Sequence, residues 1–342
     1  MSATSIATEL TRIQTAKADI KTAIEAKGVQ VPSNALIDTY DTYIGQISGG
    51  GGGQAEQDLK DLIERDITSI TIPSGTTSIG DYAFYNCSGL TSVTIPNSVT
   101  SIGGSVFSGC TNLTSVTFPN GITNLKERTF ENCINLTSVT LPNNLYAVNN
   151  YCFNGCRSLT GITIPSTVTS LGNYCFQNCS GLTSVGVVGS GASIEIPNGV
   201  TEIKMGLFKD CSGLTSVTMP SGVTKIEQYS FTGCSGLTSV TIPNSVTSIG
   251  GGYASGAFYN CTSLTSITIP SGTTSIGQSA FQGCSSLTSL TMEKTTPPTL
   301  GSNALAGTNA NLVIYVPAES VAAYQAATNW STYASRIQAI PS

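Results

Sequence analysis

Phe84-Tyr85-Asn86-Cys87-Ser88-Gly89-Leu90-Thr91-Ser92-Val93-Thr94-Ile95-Pro96 holds a frame that the chain uses nine times: a Phe three residues before a Cys and a Leu three residues after it. The cysteines stand at 87, 110, 133, 156, 179, 211, 234, 261 and 284, so the frame returns after 23 residues except for two intervals of 32 and 27. A period in the twenties with regularly placed Leu, Val and Ile marks a leucine-rich solenoid, whose units bury apolar surface only by stacking on their neighbours. Within one unit, Leu90, Val93 and Ile95 are expected to enter the core while Ser92 and Thr94 alternate outward, the period of a short strand. Pro96 ends that strand because it has no amide hydrogen for a ladder.

Val99 with Ile102, and Phe107 with Cys110, supply two further apolar edges, giving each coil several inward sides around one continuous core. Ten strand segments starting between Ile67 and Leu287, stacked at roughly 4.8 Å, give a rod of about 45 to 50 Å. The expected fold class is an α+β repeat solenoid: about nine 23-residue units, a helical amino-terminal module and a strand–helix carboxy-terminal cap.

Outward from the repeats, the chain divides into five segments. Residues 1–48 read as a helical attachment or oligomerisation module, with Ile6, Leu10, Ile13, Lys17, Ile20 and Ile24 stepping by four and three along one seam. Gly28 ends the first helix and a second runs through Leu36, Ile37, Tyr40, Ile44 and Ile47. Three heptads are marginal alone, so the seam pairs with that second helix, with other chains (a trimer is one possibility) or with a larger assembly. Residues 49–57 are a Gly-rich linker, and 58–66 an amino-terminal cap. The repeats occupy 67–292, and 293–342 close the array through the strand Leu312–Val316 and a helix over Ala318–Ala327, followed by Trp330 and Tyr333.

Charged residues make up only 10% of the 342, and residues 67–292 hold six Lys or Arg against seven Asp or Glu. A neutral array has no basic stripe with which to release counterions from nucleic acid or to sit on an anionic membrane. No apolar run is long enough for membrane insertion, and no basic start leads into an apolar stretch of the kind an export signal requires. Nine of the eleven cysteines recur at one core position, where a buried thiol acts as a small apolar group. Cys152 and Cys175, each four residues before a repeat Cys, stand at equivalent places in adjacent coils. A bridge is within geometric reach, but reduced core packing is the expected state because nothing indicates an oxidising compartment.

The chain has no histidine and no Cys-x-x-Cys pair, so no metal, cofactor or catalytic site is expected. Serine is abundant but lacks a base to activate it, and neither a nucleophile elbow nor a phosphate loop is present.

The frame Leu-Thr-Ser-Val-Thr-Ile-Pro…Val-Thr-Ser-Ile-Gly…Ala-Phe…Cys resembles the BspA-type, or treponema-type, leucine-rich repeats of bacterial surface proteins, over about residues 67–292. The ending Leu312-Val-Ile-Tyr-Val-Pro-Ala-Glu-Ser-Val-Ala-Ala-Tyr…Trp330 is similar to the closing segment of those proteins. That resemblance implies adhesion through protein or glycan binding, not catalysis. The stretch from Ala16 to Ile47 resembles the short helical modules that open tail, fibre and other structural proteins of gut bacteriophages. Together the two imply a non-enzymatic virion fibre or appendage, attached to other virion proteins by its amino-terminal helices and presenting the rod to a host-surface protein or glycan. A bacterial cell-surface adhesin and a ligand-free spacer are the alternatives.

The candidate contact residues are tyrosines. Tyr82, Tyr151, Tyr174 and Tyr229 share the position five residues before the repeat Cys, with Tyr85 and Tyr259 nearby and Tyr253 in the four-residue insertion. An exposed row of them would offer stacking area and hydroxyls. Ser105, Arg128, Gly206, Gly256 and Ser279 interrupt the row, and ordinary packing is the competing explanation. The outward Ser and Thr of the strands suit a polar ligand, but they equally suit a soluble β surface.

Overall fold

The computed structural model describes residues 68–341 apart from 73, 188–191, 193 and 251–255. The expected helical module, linker and amino-terminal cap, the seam residues Ile6, Leu10, Ile13, Ile20 and Ile24, and Tyr253 lie outside the described residues.

The array is a parallel β-solenoid with little helix, rather than the α+β solenoid expected. One ladder stacks the segment of each coil that includes Ser69–Thr71, Ser92–Thr94, Ser115–Thr117 and Ser138–Thr140, with Ser69 opposite Ser92 and Ser115 opposite Ser138. A second ladder was not foreseen. It pairs two-residue strands such as Ser101–Ile102, Asn124–Leu125 and Ala147–Val148. Only two residues per coil join it, too few to show as a period-two pattern, and the neighbouring coil supplies what makes them strands. Across the first ladder the burial pattern is outward, inward, outward, as in Ser92, Val93 and Thr94.

The third side carries the Phe and Cys of each frame, and it is a train of tight turns. Its amides bond from coil to coil, Phe84 N–H to the Val106 carbonyl at 2.9 Å and Phe130 N–H to that of Cys152 at 2.8 Å. Two positions take a left-handed backbone, one residue before every repeat Cys and five residues before all of them except Cys261. The first is always Asn, Gly or Asp, as at Asn86, Gly109 and Asp210, the residues that adopt it at least cost. That backbone rules out a helix there.

Nine phenylalanines, from Phe84 to Phe281, form one unbroken stack with centroids 5.2 to 5.7 Å apart and planes within 14° of parallel. Beside it each buried repeat Cys donates its S–H to the Phe carbonyl of the preceding coil, from Cys110 onto Phe84 at 3.0 Å to Cys284 onto Phe258 at 3.1 Å. Cys152 and Cys175 are free thiols in this core, reduced and unbridged. At the corners threonine hydroxyls form two further ladders. Thr91 donates to the Thr68 carbonyl at 2.7 Å and Thr137 to Thr114 at 3.0 Å, while Thr247 and Thr274 do the same at the second corner.

The 32-residue interval carries nine extra residues near Gly186–Ser193, most of them outside the described residues. Directly after it, Ile194–Ile196 pairs parallel to Ser184–Val187 on one side and bridges Ile162 on the other, adding a rung to the first ladder. Ile194-Glu195-Ile196-Pro197 repeats the apolar–polar–apolar–Pro order of Val93 to Pro96, and both isoleucines are buried.

At the carboxy-terminal end the ladder runs on past Met292 through Val313–Val316 to Ile337–Ala339. Between these two strands lie a 3-10 turn at Ala318–Ser320, one short helix at Val321–Ala326 and a second 3-10 stretch at Ser331–Arg336, so the expected helix is shorter than its segment. Trp330 and Tyr324 plug this end, edge to face at 5.1 Å, with Trp330 Nε1–H bonded to the Pro298 carbonyl and the Tyr324 hydroxyl to that of Lys294, both at 2.8 Å.

Candidate ligand-binding ridge

The position five residues before each Cys lies on one edge of the rod, where a left-handed backbone is imposed on Tyr82, Ser105, Arg128, Tyr151, Tyr174, Gly206, Tyr229 and Ser279 alike. Such a backbone costs a non-glycine residue of order 1 kcal/mol. Here the coil-to-coil hydrogen bonds hold it, for example Tyr151 N–H to the Asn173 carbonyl at 2.9 Å.

The structure brings only part of the tyrosine set together. Tyr151 and Tyr174 stack at 5.1 Å and 9°, and the Arg128 guanidinium lies over the Tyr151 ring at 4.9 Å. On the far side, the Tyr174 ring occupies the space above Gly206, where a Cβ would stand 2.1 Å from it. Tyr229 follows one coil further on, half-buried. Tyr82 stands apart from this run, beyond Ser105, and packs edge to face on Tyr85 at 5.6 Å with both rings exposed. Tyr259 shares the row of Tyr85 but sits seven repeats away, so these two do not form one site.

Arg128 is the ridge residue that the sequence reading passed over. Its guanidinium bonds Glu131 at 3.1 Å, and Glu131 in turn accepts from Asn154 Nδ2 at 2.9 Å, which fixes the planar group over Tyr151. Tyr146, 52% exposed, is a further surface aromatic outside the original set. Burial pushes the Tyr174 hydroxyl above its ordinary pKa, and neighbouring Tyr151 and Tyr229 add to that, so this hydroxyl stays protonated at neutral pH.

Elsewhere the chemistry is quiet. Burial drives the Cys152 and Cys211 thiols up to about 12, and those of Cys133, Cys156, Cys175, Cys179, Cys234 and Cys261 also upward. A thiol held in that form is no nucleophile. Among the described residues no three His, Cys, Asp or Glu side chains gather in a way that could hold a metal ion. No described helix is long and apolar enough to cross a membrane.

The model of the BspA type leucine rich repeat region matches residues 63–183, 190–311 and 252–327, more than half of the chain. The chain is a BspA-type leucine-rich repeat protein. Among solved structures, a leucine-rich repeat protein from Bacteroides ovatus is 31% identical over 80% of this BspA-type chain, with a TM-score of 0.63. The chain spans 66% of that structure, just under two thirds of its length. A leucine rich cell surface protein from Faecalibacterium prausnitzii is 28% identical, with 73% of this chain and 78% of that one covered and a TM-score of 0.44. The T. pallidum leucine-rich repeat protein is also 28% identical, covering 50% of this chain and 78% of its own, with a TM-score of 0.45. No curated protein matches the chain.

Proposed function

We propose that this BspA-type chain is a non-enzymatic rod at a bacterial surface that holds a protein or glycan partner along its tyrosine edge. The Arg128–Tyr151–Tyr174 run carries the reading: three flat groups, aligned and braced, on a surface rich in small hydroxyls and amides. Tyr and Arg are the residue types in which interfaces concentrate their energy, and groups fixed before binding lose little entropy on it. The protonated thiols and the absence of histidine from the sequence support a role without catalysis.

A bacteriophage fibre anchored by residues 1–48 is the other reading. It rests on residues outside the described ones, whereas the family match begins at residue 63. Antibody labelling of intact bacteria, set against purified phage particles, separates the two: protein found only in particles overturns the bacterial location. For the ridge, the triple variant Tyr151→Ala, Tyr174→Ala and Tyr229→Ala is expected to lose about tenfold or more in binding to host cells, a change of roughly 1.4 kcal/mol. Unchanged binding by a folded triple variant would remove the ridge from the account.

A further inference from the structure

Most strands of the first ladder end at a Pro, and the chain turns behind it. Five of these turns place an exposed Asn directly after that Pro: Asn97, Asn120, Asn143, Asn198 and Asn244. In each, the Pro carbonyl accepts from the amide three residues on at 3.0 to 3.2 Å, as Pro119 does from Ile122 and Pro197 from Val200. The same backbone therefore carries five Asn, and they differ in the residue that follows, which is Ser98, Gly121, Asn144, Gly199 and Ser245.

The follower decides what an Asn can do to itself. The following backbone nitrogen gives its proton to a solvent base and bonds to Cγ of the side chain, the Cγ–Nδ2 bond breaks, and ammonia leaves with a proton from water. Water then opens the cyclic imide at one carbonyl or the other, giving aspartate or an isoaspartyl link that routes the main chain through Cβ. A side chain on the follower hinders the approach, whereas Gly has no Cβ and moves most freely. Gly121 and Gly199 are both exposed, and neither nitrogen is bonded to another described residue. Asn120 Oδ1 accepts from Asn143 N–H at 3.3 Å, which ties that side chain to the next coil, while the Asn198 amide has no partner among the described residues. The third Asn-Gly pair is closed to the reaction: Gly155 is buried and donates to the Gln177 carbonyl at 2.8 Å, and Glu131 holds Asn154 Nδ2 at 2.9 Å.

We propose that Asn198 is a site of spontaneous deamidation, with Asn120 following more slowly. The turn at Asn198 joins the inserted rung Ile194–Ile196 to the second-ladder strand Glu202–Ile203. Aspartate there adds a carboxylate between Glu195 and Glu202 in the chain. The isoaspartyl form adds a backbone carbon between Pro197 and Val200, both buried, so the turn cannot keep its closing hydrogen bond and the seating of Val200 together. Age is thereby written into one joint of the rod, whatever partner the tyrosine edge holds.

The test is peptide mapping by mass spectrometry of the full chain held at pH 8, once folded and once in urea, with Asn198→Ser alongside. Other turns carry Ser at this position, as Ser166, Ser221 and Ser271, so the fold accepts it. In urea all three Asn-Gly pairs are expected to convert at similar rates. In the folded protein Asn198 converts fastest and Asn120 next, and Asn154 falls behind Asn198 about tenfold or more, the ratio set by how often each segment opens. Asn97, Asn143 and Asn244 stay amides over the same period. The aged parent also unfolds at lower urea than fresh protein, and aged Asn198→Ser shifts less. The proposal is overturned if Asn198 survives in folded protein while converting in urea, if folded Asn154 keeps pace with it, or if Asn97 does. A urea midpoint unchanged after full conversion overturns the damage to the joint.

Discussion

Raised from pH 9 toward pH 11, the protein is expected to unfold along an unusually steep curve. Eight core cysteines have thiols pushed above their ordinary value near 9, first of all by burial. Each favours the folded state fully while pH lies below the unfolded value. Above it the unfolded chain loses the proton and the folded one keeps it, so stability falls until pH passes the folded value, about 12 for Cys152 and Cys211. Each thiol removes about 1.4 kcal/mol per pH unit across that window, and eight acting together roughly 11. A domain commonly has only about 5 to 15 kcal/mol to lose. Circular dichroism followed against pH at constant temperature reads this directly, and a slope worth a single proton would show that the thiols ionise in place. At pH 7.5 the same burial predicts that Cys152 and Cys175 stay unreactive toward a disulfide reagent until denaturant is added.

Phe153→Ala is expected to cost about 3 to 5 kcal/mol, the range for emptying a buried aromatic site. Phe153 is fully buried and stacks on Phe130 at 5.4 Å and Phe176 at 5.3 Å. Coils of a solenoid are coupled through nearest-neighbour contacts, so the loss weakens the joint between two halves of the array. Urea unfolding should therefore shift to lower concentration and broaden or split into two steps. A loss below about 1 kcal/mol would mean that the ring stack fills space without holding the coils together.

Much of this was legible because each core residue repeats in register. The 23-residue return of Phe, Cys and Leu, the alternation at Ser92–Thr94 and the proline stop all state one coil, and the structure stacks them. The rest depends on neighbours. The backbone at Tyr82, Arg128 and Tyr151 is left-handed although none of these residues prefers it, so no residue type there announces it. By contrast Asn, Gly or Asp before every repeat Cys did announce it, and that signal was available. The apparent interruptions of the tyrosine row proved informative. Arg128 covers Tyr151, and Gly206 clears the space that the Tyr174 ring fills. Ile194–Ile196 was readable as a copy of Val93 to Ile95, but its sheet position between Ile162 and Val185 depends on chain closure that no local pattern encodes.

The threonine ladders bear on how such rods vary. Thr114 takes the Thr91 carbonyl just as Thr137 takes that of Thr114, so the joint above a coil and the joint below it are interchangeable. Removing or duplicating one 23-residue segment brings an equivalent hydroxyl against an equivalent carbonyl, with no junction to redesign. Length thus becomes a heritable setting, adjusted in increments of about 5 Å by recombination between near-identical stretches of gene, and reach can diverge among descendants while the contact edge keeps its pitch.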